Sequence, residues 1–506
     1  MPTAASLTVT DLLAKRARSQ PGATALTDGV TSLSYAQLEA RVRRLAAALR
    51  QAGVTAGDRI ALLSENRIEY IELELAAAQL GAIVACLNWR LADPELQHCI
   101  RLVTPVLAIV SPRYAATLAR IAHGVPRVIT LGDEFDRLRA DAVDPDTGPP
   151  VDPESGLVIL YTSGTTGLPK GALISQRAML ARAQVFAGDY AINAEHSFVA
   201  WSPLFHMAAT DHALATLMLG GKVIVHDGLQ LGPLCELLTT ERLGWLLAMP
   251  GMIDPLIDAL KSHRASLHRP LIAPRMVGAM ADLVPRHQIA ELTGLLGAPY
   301  LNSFGSTETG LPPASAALLA PGLVPASLSK RESGWCRIRL VDDQDREVAI
   351  GMPGELTIRS PALFSGYWNA DATPAQDLRG GWFHMGDVFV RHHDGSLDFV
   401  DRVKYLIKSG GENIYPAEIE RVLLAHPAVA DAAVVRKPDP HWGEVPVAFV
   451  ALQPGAVCDA ATLIALCRDQ LARYKLPREF RFIDLDALPR SSTGKIQRHE
   501  IEQRML

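Results

Sequence analysis

The chain has 506 residues, of which 48% are hydrophobic and 20% charged, a balance ordinary for a soluble globular enzyme that argues against disorder and against a coiled coil. That length accommodates roughly three average domains, or one large and one small, around a sizeable buried core. The formal net charge of -5 argues against a nucleic-acid scaffold, which would show a basic excess or a basic stripe.

Six cysteines (Cys86, Cys99, Cys235, Cys336, Cys458 and Cys467) stand far apart with no C-x-x-C pair. Neither a zinc site nor a disulfide framework is expected, and a reducing compartment is the simpler reading. The N-terminus has no apolar signal region, and no stretch approaches the ~18 unbroken apolar residues of a membrane span. The final Arg504-Met505-Leu506 is not the S-K-L peroxisomal address, so a cytoplasmic location is expected.

In chain order, Ser34 to Gly53 reads as a helix. Ser34 and Gln37 form a capping-box pair, Leu38, Val42, Leu45, Ala46 and Leu49 share one face, and Gly53 stops it. Arg59 to Leu63 follows as a short buried-strand candidate, then a helical pattern through Tyr70 and Leu80. Strand-like runs alternate with helical segments to about residue 300, which argues for α/β layers with largely parallel strands. After about residue 335 the texture changes: Arg337 to Val341, Glu355 to Arg359 and Leu397 to Val400 are short strands between Gly, Pro and Asp turns, a small β-rich lobe closing the large domain. Past Arg402, strands at Val429 to Val435, Val445 to Leu452 and Phe480 to Leu485 flank a helix from Ala460 to Tyr474, enough for a separate domain. The expected division is a large N-terminal domain over 1–401 and a small C-terminal one over 402–506.

Tyr161 to Gly171, YTSGTTGLPKG, is entered from the apolar run Leu157-Val158-Ile159-Leu160. Glycines let backbone N–H groups turn inward, hydroxyls add donors and Lys170 adds positive charge, so the loop is suited to a polyphosphate. It is not a P-loop, because Pro169 precedes Lys170 and Gly171 follows it.

Further segments recur in a fixed order: PLFH (203–206), SFGSTETG (303–310), GEL (354–356), GWFHMGD (381–387), DRVKYLIKSGGENIYPAEIE (401–420) and PRSSTGKIQR (489–498). With YTSGTTGLPKG they closely resemble the adenylate-forming superfamily of acyl-CoA synthetases, firefly-type luciferases and peptide-synthetase adenylation domains, over nearly the whole chain. The resemblance implies layered α/β subdomains with a β-rich lobe, followed by a small, mobile α+β C-terminal domain. It also implies an acid:CoA ligase using ATP, Mg2+ and coenzyme A on a small-molecule carboxylic acid, fatty or aryl, with no nucleic acid and no transmembrane segment. Whether it forms a homo-oligomer stays open. A carboxylate is already anionic and a poor electrophile; joining it to the α-phosphate of ATP expels pyrophosphate, and a thiol then displaces AMP. Both steps concentrate negative charge, which calls for fixed cations and donors.

By the same resemblance, Thr162, Ser163, Gly164, Thr165, Thr166, Gly167 and Lys170 hold the phosphates, Thr307 touches them, and Glu308 helps hold Mg2+. Phe304 stacks on adenine where relatives usually have tyrosine, and Gly278, Ala279, Asn302 and Gly305 line the adenine pocket, with Met280 where many relatives carry proline. Asp387 accepts from the ribose hydroxyls, Arg402 adds donors beside it, and Met385 replaces the usual threonine. Lys495 is the catalytic lysine of adenylate formation, on a stem that reaches both carboxylate and α-phosphate. Lys404 is the hinge between adenylating and thioester-forming poses, and Lys408, Gly410 and Gly411 line the pantetheine tunnel. His206 gates the acyl pocket, whose wall includes Trp201, Ala208, Ala209, Met249 and Gly305. Asp211 and His212 either meet a polar substrate group or lie on a solvated helix face.

With no carrier segment after Leu506, a stand-alone ligase is the leading expectation. The alternatives are an adenylating enzyme that passes its acyl group to another acceptor such as a carrier protein, and a catalytically lapsed nucleotide-binding protein. Met385 and the altered Ser333-Gly334-Trp335-Cys336 segment point weakly to the last; retention of Lys170, Glu308, Asp387, Arg402 and Lys495 points away from it.

Overall fold

The structure is a computed structural model describing residues 7–142, 149–162, 168–266, 270–369, 377–409, 412–490 and 496–505. The helix expected from Ser34 forms as Tyr35–Gln51: Ser34 accepts from the Gln37 N–H while the Gln37 side chain accepts from the Ser34 N–H at 2.8 Å. Leu38, Val42, Leu45 and Leu49 are buried on its inner face, each contributing on the order of 1.5–3 kcal/mol on leaving water. Gly53 turns the chain at φ 91°, a conformation that favours glycine.

Packing divides the chain into two compact units, one running through Arg337 and resuming over Arg359–Gly381, the other made of Ile338–Ile358 and everything from Trp382 on. In the first unit a six-stranded sheet runs Val128–Thr130, Leu107–Val110, Arg59–Leu63, Ile83–Cys86, Gly156–Thr162, Lys170–Ser175. Its pairs are parallel except the last, a hairpin. A five-stranded sheet runs Leu243–Trp245, Ser197–Ala200, Lys222–Val225, Thr24–Thr27, Ser32–Ser34, again parallel up to its terminal hairpin. Alternation of buried apolar strands with helices such as Ile68–Leu80 and Met207–Leu219 produces these layers.

In the second unit the strands Pro353–Arg359, Trp382–Arg391 and Leu397–Arg402 pair antiparallel in the sheet that also takes in Arg337–Val341. A second sheet orders Glu412–Ile414, Ile407–Ser409, Gly443–Leu452 and Val429–Asp439, with Glu479–Phe482 joining Gly443–Leu452 in parallel. Its core gathers Ile407, Ile414, Ile419, Leu423, Val434, Val450 and Leu463. Two expected elements are shorter. The helix from Ala460 ends at Gln470, because Leu471 goes extended to put its side chain into that core, and Tyr474 falls in a 3-10 turn. The last strand stops at Phe482, and Leu485 begins an exposed 3-10 turn. Among the described residues no helix is long and apolar enough to cross a membrane.

Candidate active site

The strands Gly156–Thr162 and Lys170–Ser175 pair antiparallel with Tyr161 opposite Gly171 and Thr162 opposite Lys170. Leu157 to Leu160 are buried in the sheet, so the strand ends at Thr162 and Lys170 are held in register. Ser163, Gly164, Thr165, Thr166 and Gly167 lie outside the described residues. Across this stem runs a strap that the sequence reading missed. Ser365 N–H donates to Leu173 O at 2.8 Å, Leu173 N–H to Gly366 O at 3.0 Å and Trp368 N–H to Gly171 O at 2.8 Å. The strap puts the Tyr367 ring 4.9 Å from Lys170 Nζ, within cation–π range. Its hydroxyl donates to Glu308 Oε1 at 2.7 Å, while Phe364 N–H donates to the Glu308 carbonyl at 2.8 Å. Lys170 and Glu308, 138 positions apart by their residue numbers, thus meet on one phenol. The available signal was Gly366-Tyr367-Trp368, two aromatics directly after a glycine whose φ is 118°.

Glu308 and Thr307 sit in the turn of a hairpin whose arms are Phe304–Ser306 and Gly310–Ala314. Thr309 Oγ1 accepts from the Ser306 N–H at 2.9 Å and closes the turn. A Cβ at Gly305 would run into the Gly310 carbonyl and stand 2.8 Å from that of Leu311, so the position excludes side chains. Phe304 is half-buried beside it. Asn302 is fully buried: its Nδ2 donates to Leu328 O at 2.7 Å and Ser329 O at 3.2 Å, and its Oδ1 accepts from the buried Lys330 ammonium, which is paired with Asp282. Gly278 takes φ 80°, a Cβ there would fall within the Tyr300 ring, and its carbonyl accepts from Trp245 Nε1 at 2.7 Å. The Tyr300 hydroxyl donates to Ala279 O at 3.0 Å. Met280 adopts φ 50°, in the left-handed region, a conformation closed to proline. The Ser333–Cys336 departure is a braced turn, with Ser333 Oγ donating to Asp189 Oδ2 at 2.7 Å and its N–H to Pro313 O at 2.9 Å.

Of the acyl-pocket candidates, Trp201 and Met249 pack against the same apolar cluster, and Trp201 Nε1 donates to Leu247 O at 3.1 Å. His206 is the N-cap of Met207–Leu219, its ring 4.4 Å from that of Phe205. Ala209 is fully buried on that helix, Ala208 half-buried, and Gly305 exposed. Asn66, which sequence reasoning did not single out, pins this segment by donating to Ala200 O and Ser202 O at 2.9 and 2.8 Å and accepting from Leu204 N–H. Asp211 and His212 do not lie on a solvated helix face. Both are buried: Asp211 faces Arg182 at 2.9 Å, and His212 lies 4.2 Å from both Phe186 and Phe198 and 5.0 Å from Trp245. Burial holds the His212 imidazole well below the ordinary range.

In the second unit Asp387 and Arg402 are directly opposed across adjacent strands, Arg402 Nε standing 3.0 Å from Asp387 Oδ1. Asp387 is 2% exposed. Glu355 of the GEL segment steadies the approach to Asp387, accepting from Gly386 N–H at 3.1 Å and lying 3.1 Å from His384 Nδ1; Met385 is half-buried there. Lys404 lies in the 3-10 turn Val403–Tyr405, its ammonium 4.8 Å from the Tyr405 ring. The preceding Asp401 is buried and accepts from Ala417 N–H at 2.7 Å, at the start of the helix Pro416–Leu424. Lys408 is exposed, and its N–H donates to Glu444 at 2.8 Å. Gly410, Gly411 and Lys495 lie outside the described residues; the first two are bracketed by the Ser409–Glu412 pair, the last by the Arg490–Ile496 bridge.

Among the described residues no group of three or more His, Cys, Asp or Glu side chains could hold a metal ion alone. Magnesium needs less, one or two carboxylates with nucleotide and water completing its shell. Glu308, half-buried on a turn with one oxygen held by Tyr367, is a hard donor of that kind.

Within an α/β fold, the Lys170–Tyr367–Glu308 contact of the first unit and, separately, the Asp387–Arg402 pair of the second are side-chain types that a nucleotide-using enzyme employs. The model for AMP-binding enzymes matches residues 13–368, and that for the AMP-binding enzyme C-terminal domain matches 418–495; the chain belongs to the AMP-binding enzyme family. It is 34% identical to indoleacetate–CoA ligase of Aromatoleum aromaticum, covering 97% of this chain and 96% of the relative. It is 36% identical to feruloyl-CoA synthase of an Amycolatopsis species, with 97% of each covered. Among solved structures, o-succinylbenzoate coenzyme A synthetase from Bacillus subtilis, in complex with ATP and magnesium ion, superimposes with a TM-score of 0.83 at 26% identity over 97% of this chain and 98% of that one.

Proposed function

We propose that this chain activates an aryl carboxylic acid with ATP and Mg2+ and transfers the acyl group to coenzyme A. The protein is an ATP-dependent acid:CoA ligase that works through an acyl adenylate. The observation that carries the reading is the meeting of Lys170 and Glu308 on Tyr367, which brings a cation and a magnesium-type carboxylate to one phenol. Indoleacetate and ferulate, the acids in the relatives' names, favour an aryl over a fatty acid.

In the adenylating step a carboxylate oxygen of the acid bonds to the α-phosphorus as the bond to pyrophosphate breaks. Thr162, Ser163, Thr165, Thr166 and Lys170 hold the β- and γ-phosphates, through hydroxyls, backbone N–H groups freed by Gly164 and Gly167, and one ammonium. Glu308 would hold magnesium, which would supply positive charge toward the phosphates. Phe304 stacks on adenine against Gly278, Ala279 and Gly305, with Asn302 keeping the pocket wall in place. Asp387 and Arg402 take the ribose, and Lys495 bridges carboxylate and α-phosphate. In the second step the thiol loses its proton, its sulfur bonds to the carbonyl carbon and AMP departs. Lys408, Gly410 and Gly411 line the pantetheine path, Lys404 is the hinge of a functional boundary at 401/402, and His206 stands at the acyl pocket formed by Trp201, Ala208, Ala209 and Met249.

The test is a panel of aryl, aralkyl and straight-chain acids with ATP and Mg2+, reading pyrophosphate and, with CoA added, thioester. Highest kcat/KM for an aromatic acid, with thioester only when CoA is present, is the expected result. A straight-chain acid preferred over every aromatic one would overturn the substrate class, and ATP binding without pyrophosphate release for any acid would replace the ligase with a lapsed nucleotide-binding protein.

A further inference from the structure

Arg182 lies on the helix Gln176–Tyr190 with its side chain only 1% exposed. Its Nη1 donates to both carboxylate oxygens of Asp211, at 3.1 and 2.9 Å. Its other donors reach two main-chain carbonyls, Nη2 to Thr307 at 2.9 Å and Nε to Ala362 at 3.1 Å. Those carbonyls belong to the turn that carries Glu308 and to the segment leading into the strap that carries Tyr367. Gly310, at the foot of the turn, leaves room for the guanidinium stem: a Cβ there would stand 3.1 Å from Arg182 Cγ and Nε.

A planar fork with donors in fixed directions can tie three acceptors in one arrangement, which a lysine ammonium on the same stem cannot. Asp211 balances the buried charge and fixes the rotation of the fork. The carbonyls flank the Tyr367–Glu308 hydrogen bond, so a shift in either segment changes where the carboxylate points.

We propose that Arg182, anchored by Asp211, is a positioning residue that sets the Glu308–Tyr367 geometry and thereby couples magnesium binding to ATP binding. The proposal rests on the assignment of Glu308 to magnesium. It is tested by calorimetric titration of ATP into the full chain with saturating Mg2+ and with chelator, for the native protein, Glu308→Gln, Arg182→Lys and the double change Arg182→Met with Asp211→Leu. The double change removes both charges together, a replacement that folds tolerate, and so covers the case in which the lysine variant does not fold.

The native protein should bind ATP about ten-fold or more tightly with Mg2+ than without it. Both Arg182 variants should bring that ratio to within about two-fold of unity while metal-free ATP affinity changes by less than about two-fold. If Glu308→Gln abolishes the ratio and the Arg182 variants keep it, the positioning role is wrong and the Glu308 assignment stands. If the variants lose affinity equally with and without Mg2+, Arg182 is merely structural and the proposal fails. A native protein whose ATP affinity is blind to Mg2+ overturns the assignment of Glu308 and this proposal with it.

Discussion

Glu308 accepts from a phenol whose ring also faces an ammonium, so one side chain orients both a metal-type carboxylate and a phosphate-type cation. Tyr367→Phe keeps the ring beside Lys170 and removes only the O–H donor. A hydrogen bond to a charged acceptor is worth roughly 1.5–3 kcal/mol, so KM for Mg·ATP should rise about ten-fold in steady-state pyrophosphate release, with thioester formation from supplied acyl adenylate unchanged. His212 carries a different prediction. Its ring is enclosed by Phe186, Phe198 and Trp245, and both nitrogens lack a hydrogen-bond partner among the described residues. The unfolded chain takes up this proton below about pH 6.5, whereas the folded chain, its imidazole pKa held down by burial, does not. Stability is therefore full above that pH and falls as pH drops below it, by up to about 1.4 kcal/mol per unit. His212→Phe should flatten the acid side of a melting-temperature profile between pH 7 and 5; an unchanged slope contradicts the reading. The motif residues were legible in the sequence because each sits in a short local pattern. Their partners were not: Tyr367 is 59 positions from Glu308, Arg182 is 125 from Thr307, and Asn66 is 138 from Leu204.

At the level of elements, the hairpin bearing Thr307 and Glu308 depends on close approach of its own backbone at Gly305. Gly305→Ala should cost about 3 kcal/mol and lower both the melting temperature and ATP affinity. Gly22→Ala, at a glycine with no atom within 4 Å of an added Cβ, serves as control and should change neither. The helix Tyr35–Gln51 was readable because its start is written locally in Ser34 and Gln37. The helix from Ala460 is shorter than its pattern predicts because its end is set by a tertiary demand: Leu471 leaves helical geometry to reach the core of the second unit. The same contrast holds at residues 161–171, whose composition suits a phosphate, while the strap across Gly171–Leu173 is joined through pairings at 171–173 and 365–368.

For the whole molecule, the α/β class and the parallel layers followed from alternating strands and helices, and order of motifs placed the chain in its family. The grouping of residues 338–358 with those from Trp382 on depends on pairing of Pro353–Arg359 with Trp382–Arg391 across the intervening segment, which local pattern does not encode. Attack of a carboxylate oxygen of the acid on the α-phosphorus of ATP is the step on which the ligase chemistry depends. It is tested most directly by supplying an acid substrate with both carboxylate oxygens labelled with heavy oxygen, together with ATP, Mg2+ and CoA, and weighing the products. One labelled oxygen in AMP and none in pyrophosphate is the expected result. Label in orthophosphate with formation of ADP would contradict it.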